Sequence, residues 1–381
     1  MRLQQLEQGM LFKLLAVIED RCESFMKSRS NIIDMMRAIG IILVVLGHCL
    51  PASFVFLKRF IYLFHLPLFF LISGYLYNEK SSDKPWEYIG TRLQSYLKAY
   101  VMYGSILVFF HNILYRMGIF SPGYIGYNFR DFMTGFFNTF VFLSNEPFSA
   151  AMWFIPVLFI SLVIFNFIFA FANHFPFSIN KEKTRFILIV LFTLLGIYLN
   201  VNQIELMWHC QTCFVILPFL YVGNLIRNQK LKWLKANWVL AIIIILFVCL
   251  GLYYVEGSVE LSQNSLWIPP LFYIGAFAMI YVVYTFCHCL QSQHMIKKCL
   301  TVLGRNTLPI MCFHILVFKL MDFVVITLFS KNYPILSSFT VSYPDMFVFY
   351  TIFGILGSLI LDYIFAKIFI VSKKFVKYCL K

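Results

Sequence analysis

Few side chains in this 381-residue chain can move a proton or hold an anion, and three of them share one short stretch. In Asn31-Ile-Ile-Asp34-Met-Met-Arg37 the acid and the base are three residues apart, which makes them neighbours on one helix face and able to pair. His48 follows Arg37 by eleven residues. At about 100° and 1.5 Å per residue, that spacing returns to within ~20° of the same face and rises ~16 Å. The residues between are apolar or glycine, so His48 falls well inside a hydrophobic span, with Arg37 near its start. Ionisable groups at membrane depth are costly unless paired or facing a cavity. An imidazole placed there suits general-base work, since with an ordinary pKa of ~6.5 it can take a proton from a hydroxyl and return it to a leaving group. The competing reading is a core histidine satisfied by a neighbouring backbone group or hydroxyl.

The elements that must position these groups follow from composition. The chain is 61% hydrophobic and 13% charged, with a mean hydropathy of +0.79. A water-soluble domain carries about 25% charged residues, so most of this chain has no water-facing side to build. It is an integral membrane protein. Unbroken apolar runs of helix-spanning length argue against a β-barrel, whose strands alternate apolar and polar. The expected fold class is all-α, a polytopic membrane helical bundle.

Apolar stretches predict about ten transmembrane helices, near 38–54, 58–77, 97–116, 149–172, 186–200, 209–226, 238–254, 267–289, 306–328 and 346–371. Ten spans place both termini on one side. The net charge of +14 encodes this topology rather than an affinity for nucleic acid, which is not expected as a partner; lipid is. The two terminal segments and the even-numbered connections hold 23 of the 31 basic residues, against five in the odd-numbered connections. That bias puts both termini in the cytoplasm. The expected organisation is a cytoplasmic N-terminal tail over 1–30, a transmembrane domain over 31–372 and a basic cytoplasmic tail over 373–381. The longest outer connection, about 117–148, is long enough to cover a cavity.

Beyond His48, the second span carries Phe64-His65-Leu-Pro67-Leu-Phe69-Phe70-Leu-Ile-Ser73-Gly74-Tyr75. Together with Asp34-x-x-Arg37-x10-His48, this resembles the opening of the acyltransferase family 3 membrane proteins, and most of all the branch of fucose O-acetylase-like and O-antigen acetylases. Trp153-Phe-Ile, Leu217-Pro218-Phe219 with Gly223, and Leu303-Gly304-Arg305-Asn306-Thr307-Leu308 leading to His314 resemble later motifs of that branch. The resemblance runs from about 31 to 371. It implies a membrane O-acyltransferase, most simply an O-acetyltransferase in the bacterial inner membrane. Such an enzyme binds no permanent cofactor, takes acetyl-CoA or another acyl-CoA as donor, and acylates a carbohydrate or lipid-linked glycan such as O-antigen, capsule or exopolysaccharide. It implies His48 as catalytic base or acyl carrier with Arg37 and Asp34 as partners. Arg37 would hold a CoA phosphate or polarise the thioester carbonyl.

Candidates for contact with substrate are His65, Ser73, Arg92, Trp153, Asn306 and His314. A kink at Pro67 would free carbonyls for His65, and Ser73-Gly74 would let helices approach closely. The family's paired arginines after the second span are here reduced to Arg92, and the acid expected beyond Trp153 is missing. Glu146, seven residues before Trp153, reads as an exposed loop carboxylate, and Asp362 as structural, paired with Lys367 or with a neighbouring helix. His209-Cys210-x-x-Cys213 and Cys287-His288-Cys289 are expected at opposite ends of the membrane, so no metal is expected. Phosphate-binding loops and the Gly-x-Ser-x-Gly elbow do not occur in the sequence. The alternative from another class is an exporter or transporter of polysaccharide or solute, for which a polar stripe in a bundle would also serve, though no repeated halves are visible.

Overall fold

The computed structural model describes residues 31–120, 123–143, 146–174, 180–232, 235–329 and 341–379, the last eleven by backbone alone. The expected N-terminal tail, 1–30, therefore lies outside the described residues, as do 380–381 of the basic tail. Among the described residues there are fourteen α-helices, several short 3-10 turns and no strand beyond one isolated bridge, Glu260 to Ser265.

The helices are α1 (Asn31–Cys49), α2 (Val55–Tyr62), α3 (His65–Tyr75), α4 (Pro85–Arg116) and α5 (Phe129–Phe140). They continue with α6 (Phe154–His174), α7 (Lys181–Val201), α8 (Cys210–Val215), α9 (Leu217–Arg227) and α10 (Trp238–Tyr254). The last four are α11 (Pro269–Cys289), α12 (His294–Arg305), α13 (Thr307–Phe329) and α14 (Phe347–Cys379). Eight stretches are long and apolar enough to cross a bilayer, and the pair Met207–Val215 and Leu217–Arg227, bent by 53°, makes a ninth. The tenth expected span is α10, which at 17 residues falls just short of the ~20 that a bilayer core requires. The protein is a polytopic helical bundle.

Two local features differ from expectation. The second span breaks at Leu63–Phe64, ahead of His65, rather than at Pro67. Pro67 instead sits in the first turn of α3, where a missing N–H is tolerated. The helix of the third span starts at Pro85, not near 97, so Arg92 stands on a helix of 32 residues, longer than the ~20 that a bilayer core requires. The bend between α8 and α9 has a satisfied carbonyl: Tyr273 Oη donates to Val215 O at 2.7 Å.

Glycines decide which helices meet. A Cβ on Gly74 would lie 1.9 Å from Leu220 O, and one on Gly223 would lie 2.0 Å from Leu71 O, so α3 and α9 cross with backbones in contact. Gly304 does the same for α12 against α1, where a Cβ would fall 1.7 Å from Asp34 O.

Polar contacts group the connections at two ends. Glu79, after α3, and Glu182, at the start of α7, share Arg185 and Lys230 at 2.6–3.3 Å, which gathers three of the connections expected on the cytoplasmic side. Opposite, Arg59 donates to Leu252 O and Val255 O at 2.8 and 2.6 Å, closing the C-terminal end of α10 with a cation.

Candidate active site

The α1 helix is unbroken from Asn31 to Cys49, so its periodicity holds over the whole stripe. Arg37, Ile41, Val44 and His48 fall on one face, and all four line a cavity of about 280 Å³. The end near the start of α1 is bounded by Arg37, Thr307, Arg92 and Tyr96. Past the middle come His48, His65 and Tyr62, and the far side is formed by Glu260 and Ser262 from the connection between α10 and α11. Ser73 and Trp153 complete the wall.

Arg37 is held by what surrounds it. Its Nη2 donates to Thr307 Oγ1 at 2.9 Å, and its Nη1 lies 3.9 Å from Asp34 Oδ1. Asp34 is 1% exposed and accepts from Arg305 Nε at 3.0 Å through its other oxygen. The run Gly304-Arg305-Asn306-Thr307 thus has a physical explanation. Gly304 lets α12 touch α1, Arg305 neutralises the buried carboxylate and Thr307 fixes the guanidinium. Asp34 does not reach the cavity; it positions Arg37. Along α1 the backbone rises ~16 Å between Arg37 and His48.

His48 makes no hydrogen bond to any described residue, so its ring is free to meet a substrate. Two other imidazoles lie close to it. His314 packs at 5.2 Å between ring centroids, and its Nδ1 faces Ile310 O at 2.9 Å. Because a carbonyl only accepts, that nitrogen carries the proton and Nε2 presents a lone pair, which is buried without a partner. His65 is arranged likewise, with Nδ1 on Ile61 O at 2.8 Å across the break between α2 and α3. Its ring packs against Tyr62, 4.9 Å away, whose hydroxyl donates to Gly47 O at 3.3 Å.

The remaining expected residues divide. Ser73 lines the cavity, but its hydroxyl is spent on Phe69 O at 2.8 Å. Arg92 lies over the Tyr88 ring at 5.2 Å, and Trp153 meets the His209 ring edge-on at 5.4 Å. Asn306 is not at the cavity: its amide returns to Val302 O at 2.8 Å and finishes α12. Asp362 accepts from Tyr103 Oη at 2.9 Å, while Lys367 lies over Tyr363 instead. Glu146 is not an exposed carboxylate; its side chain is 2% exposed and pairs with His111 at 3.1 Å.

The family model for an acyltransferase domain, that of acyltransferase family 3, matches residues 30–363. The chain belongs to the acyltransferase 3 family. It is therefore a multi-pass membrane acyltransferase, and the matched region contains every residue of the cavity described above. No curated protein and no solved structure matches the chain.

Within this acyltransferase, Tyr62, Glu260, Ser262 and Thr307 line the cavity and Arg305 holds Asp34 beside it, and sequence reasoning singled out none of them as site candidates. Thr307 and Arg305 had a signal, since they lie inside the quoted Gly304 motif. Glu260 had none: it stands more than 200 residues from His48 in a connecting loop, and only the packing of α10 and α11 brings it over the cavity.

Proposed function

We propose that this acyltransferase moves an acetyl group from acetyl-CoA to a hydroxyl of a surface polysaccharide, or of its lipid-linked precursor, in the bacterial inner membrane. The observation that carries the reading is the single cavity with Arg37 and Arg92 at one end, His48 in the middle and Glu260 and Ser262 at the other. The basic end fits a polyanionic donor. Arg37, pre-oriented by Asp34 and Thr307, meets a CoA phosphate with a planar, permanently charged fork, and Arg92 adds a second cation at the mouth. The other end offers the Glu260 carboxylate, which the Ser262 hydroxyl already holds by one oxygen, and carboxylates bind sugar hydroxyls.

His48 accepts the proton of the acceptor hydroxyl as the oxygen attacks the thioester carbonyl. The tetrahedral intermediate then expels the CoA thiolate, which takes the proton from the imidazolium. His314 packs beside this ring, and its free acceptor nitrogen can take the second N–H of the imidazolium when that forms. The thioester is already activated, so positioning and proton transfer supply most of what is needed. Both termini and the basic connections lie on the cytoplasmic side in this reading, where acetyl-CoA is found.

The test is the acetyl content of surface polysaccharide by proton NMR before and after mild base. Cells with the gene should show base-labile acetyl signals that are missing without it. Equal acetylation in both would overturn the assignment.

A further inference from the structure

The motif His209-Cys210-Gln-Thr-Cys213 is not used by the acyl-transfer cavity. Among the described residues no group of three or more His, Cys, Asp or Glu side chains is placed to hold a metal, which leaves the two thiols to each other. Cys210 opens α8 and is half-buried, while Cys213, one turn on, is fully buried. Their side chains hydrogen-bond to one another. The Cys213 thiol thus has three acceptors in reach for one proton: the Cys210 sulfur, Val157 O at 3.5 Å and His209 O at 3.8 Å. Thiol–disulfide exchange needs this arrangement, with one sulfur open to an incoming disulfide and a second behind it to resolve the mixed disulfide.

The pair lies at the end of the bent α8–α9 span remote from Lys230 and its partners Glu79 and Glu182. Just ahead of the motif, Trp208 Nε1 donates to Val141 O at 2.9 Å, in the connection between α5 and α6. In the topology given by the basic residues this end faces away from the cytoplasm, on the side where disulfides form and persist.

Closing the bond moves the backbone. Residues three apart on a helix hold their Cβ atoms about 5–6 Å apart, whereas a disulfide brings them to about 3.5–4.5 Å. Cys213 is held in the core, so the movement falls on Cys210 at the helix end. Trp208 and His209 before it both have left-handed backbones, at φ 57° and 54°, which are costly for residues with a side chain. A shift there relieves strain rather than adding it. The His209 ring meets Trp153 edge-on at 5.4 Å, and Trp153 lines the His48 cavity. Oxidation also removes the S–H that reaches Val157 O, between the cavity residues Ile155 and Leu158.

We propose that Cys210 and Cys213 form a reversible dithiol–disulfide switch that resets the Trp153 wall of the His48 cavity. The Cys210 sulfur attacks one sulfur of an external disulfide; that S–S bond breaks, one thiol leaves with the Cys210 proton, and a mixed disulfide forms. The Cys213 sulfur then attacks the Cys210 sulfur and releases the second thiol with the Cys213 proton. Two protein thiols are oxidised and one external disulfide is reduced to two thiols, and external thiol reverses the exchange. The switch does not rest on acetyl as the group transferred.

The test is oxidised glutathione on the full chain in lipid nanodiscs, followed by N-ethylmaleimide and peptide mass spectrometry. In the wild type the peptide carrying 210 and 213 should escape alkylation, and should regain it after dithiothreitol. Cys213→Ser should hold one glutathione on Cys210, and Cys210→Ser none on the buried Cys213. Cys299 is exposed and serves as the reagent control in all three proteins. Backbone hydrogen exchange over 150–160 should be about fivefold faster in the oxidised wild type, the scale of one hydrogen bond lost, and unchanged by glutathione in Cys210→Ser. The proposal is overturned if the wild-type pair stays fully alkylated, or if Cys213→Ser takes no glutathione on Cys210. It is also overturned if exchange over 150–160 is the same in the oxidised and the reduced chain.

Discussion

The rings of His48 and His314 lie 5.2 Å apart at an interplanar angle of 40°, and the His314 proton is committed to the Ile310 carbonyl on the side of its own helix. The consequence is directional. His314 has only a lone pair left to offer toward His48, so it can accept a hydrogen bond from that ring and cannot donate one to it. Replacing His314 by Phe keeps a ring in the stack and removes that lone pair. The expected result is a fall of ~10²-fold in kcat, within the range of a general-base contribution, with little change in the KM for acyl-CoA. A variant within twofold of wild type would show that the contact is packing alone.

Arg37 gives a different signature, because it stands ~16 Å up the helix from the chemistry. Arg37→Lys loses the fork that reaches Asp34 and Thr307 together, and Thr307→Val loses one charge-assisted hydrogen bond that orients it. Steady-state kinetics should show KM for acyl-CoA raised ~10-fold in Thr307→Val and more in Arg37→Lys. If kcat fell in both while KM stayed constant, Arg37 would have to act at the thioester after all.

Glu260 should behave as the acceptor-side counterpart. Glu260→Gln keeps the shape and removes the charge beside Tyr62. The expected effect is a KM increase for the hydroxyl acceptor, and none for acyl-CoA, measured with each substrate varied in turn. A raised KM for the donor would place CoA at the wrong end of the cavity.

Stability should report the α1–α12 contact. A methyl group on Gly304 would meet Asp34 O at 1.7 Å, so Gly304→Ala must push the helices apart and loosen the Arg305–Asp34 pair. Overpacking of this kind costs about 1–3 kcal/mol or more. Gly90 on α4 is the control, since nothing lies within 4 Å of a Cβ there, and Gly90→Ala should be neutral or stabilising by up to ~1 kcal/mol. Thermal unfolding in detergent separates the two; equal melting temperatures would contradict the close approach.

What was legible in the sequence was whatever repeats locally. The Arg37 to His48 stripe was readable because helical periodicity needs only the residues between, and the spans because a bilayer imposes a minimum apolar length. The Pro67 kink was misplaced by a few residues, since a proline in the first turn of a helix bends nothing. Glu146 was misread because its burial depends on His111, 35 residues earlier, and on the loop that brings Ile125 back over that ring. Asn306 was drawn toward the substrate by its motif, whereas its neighbours Arg305 and Thr307 make the long-range contacts. In each case the missing information was a contact between distant segments.

The central claim is that His48 is the base for acyl transfer, and it is tested most directly with purified protein in proteoliposomes. Acetyl-CoA labelled in the acetyl group is supplied on one side and a polysaccharide acceptor on the other. Label in the acceptor is then counted for wild type and His48→Ala at matched folded protein. Transfer by wild type, with a fall of at least ~10²-fold in His48→Ala at an unchanged melting temperature, is the expected result. Equal transfer by the two proteins would contradict it and move the chemistry away from this cavity.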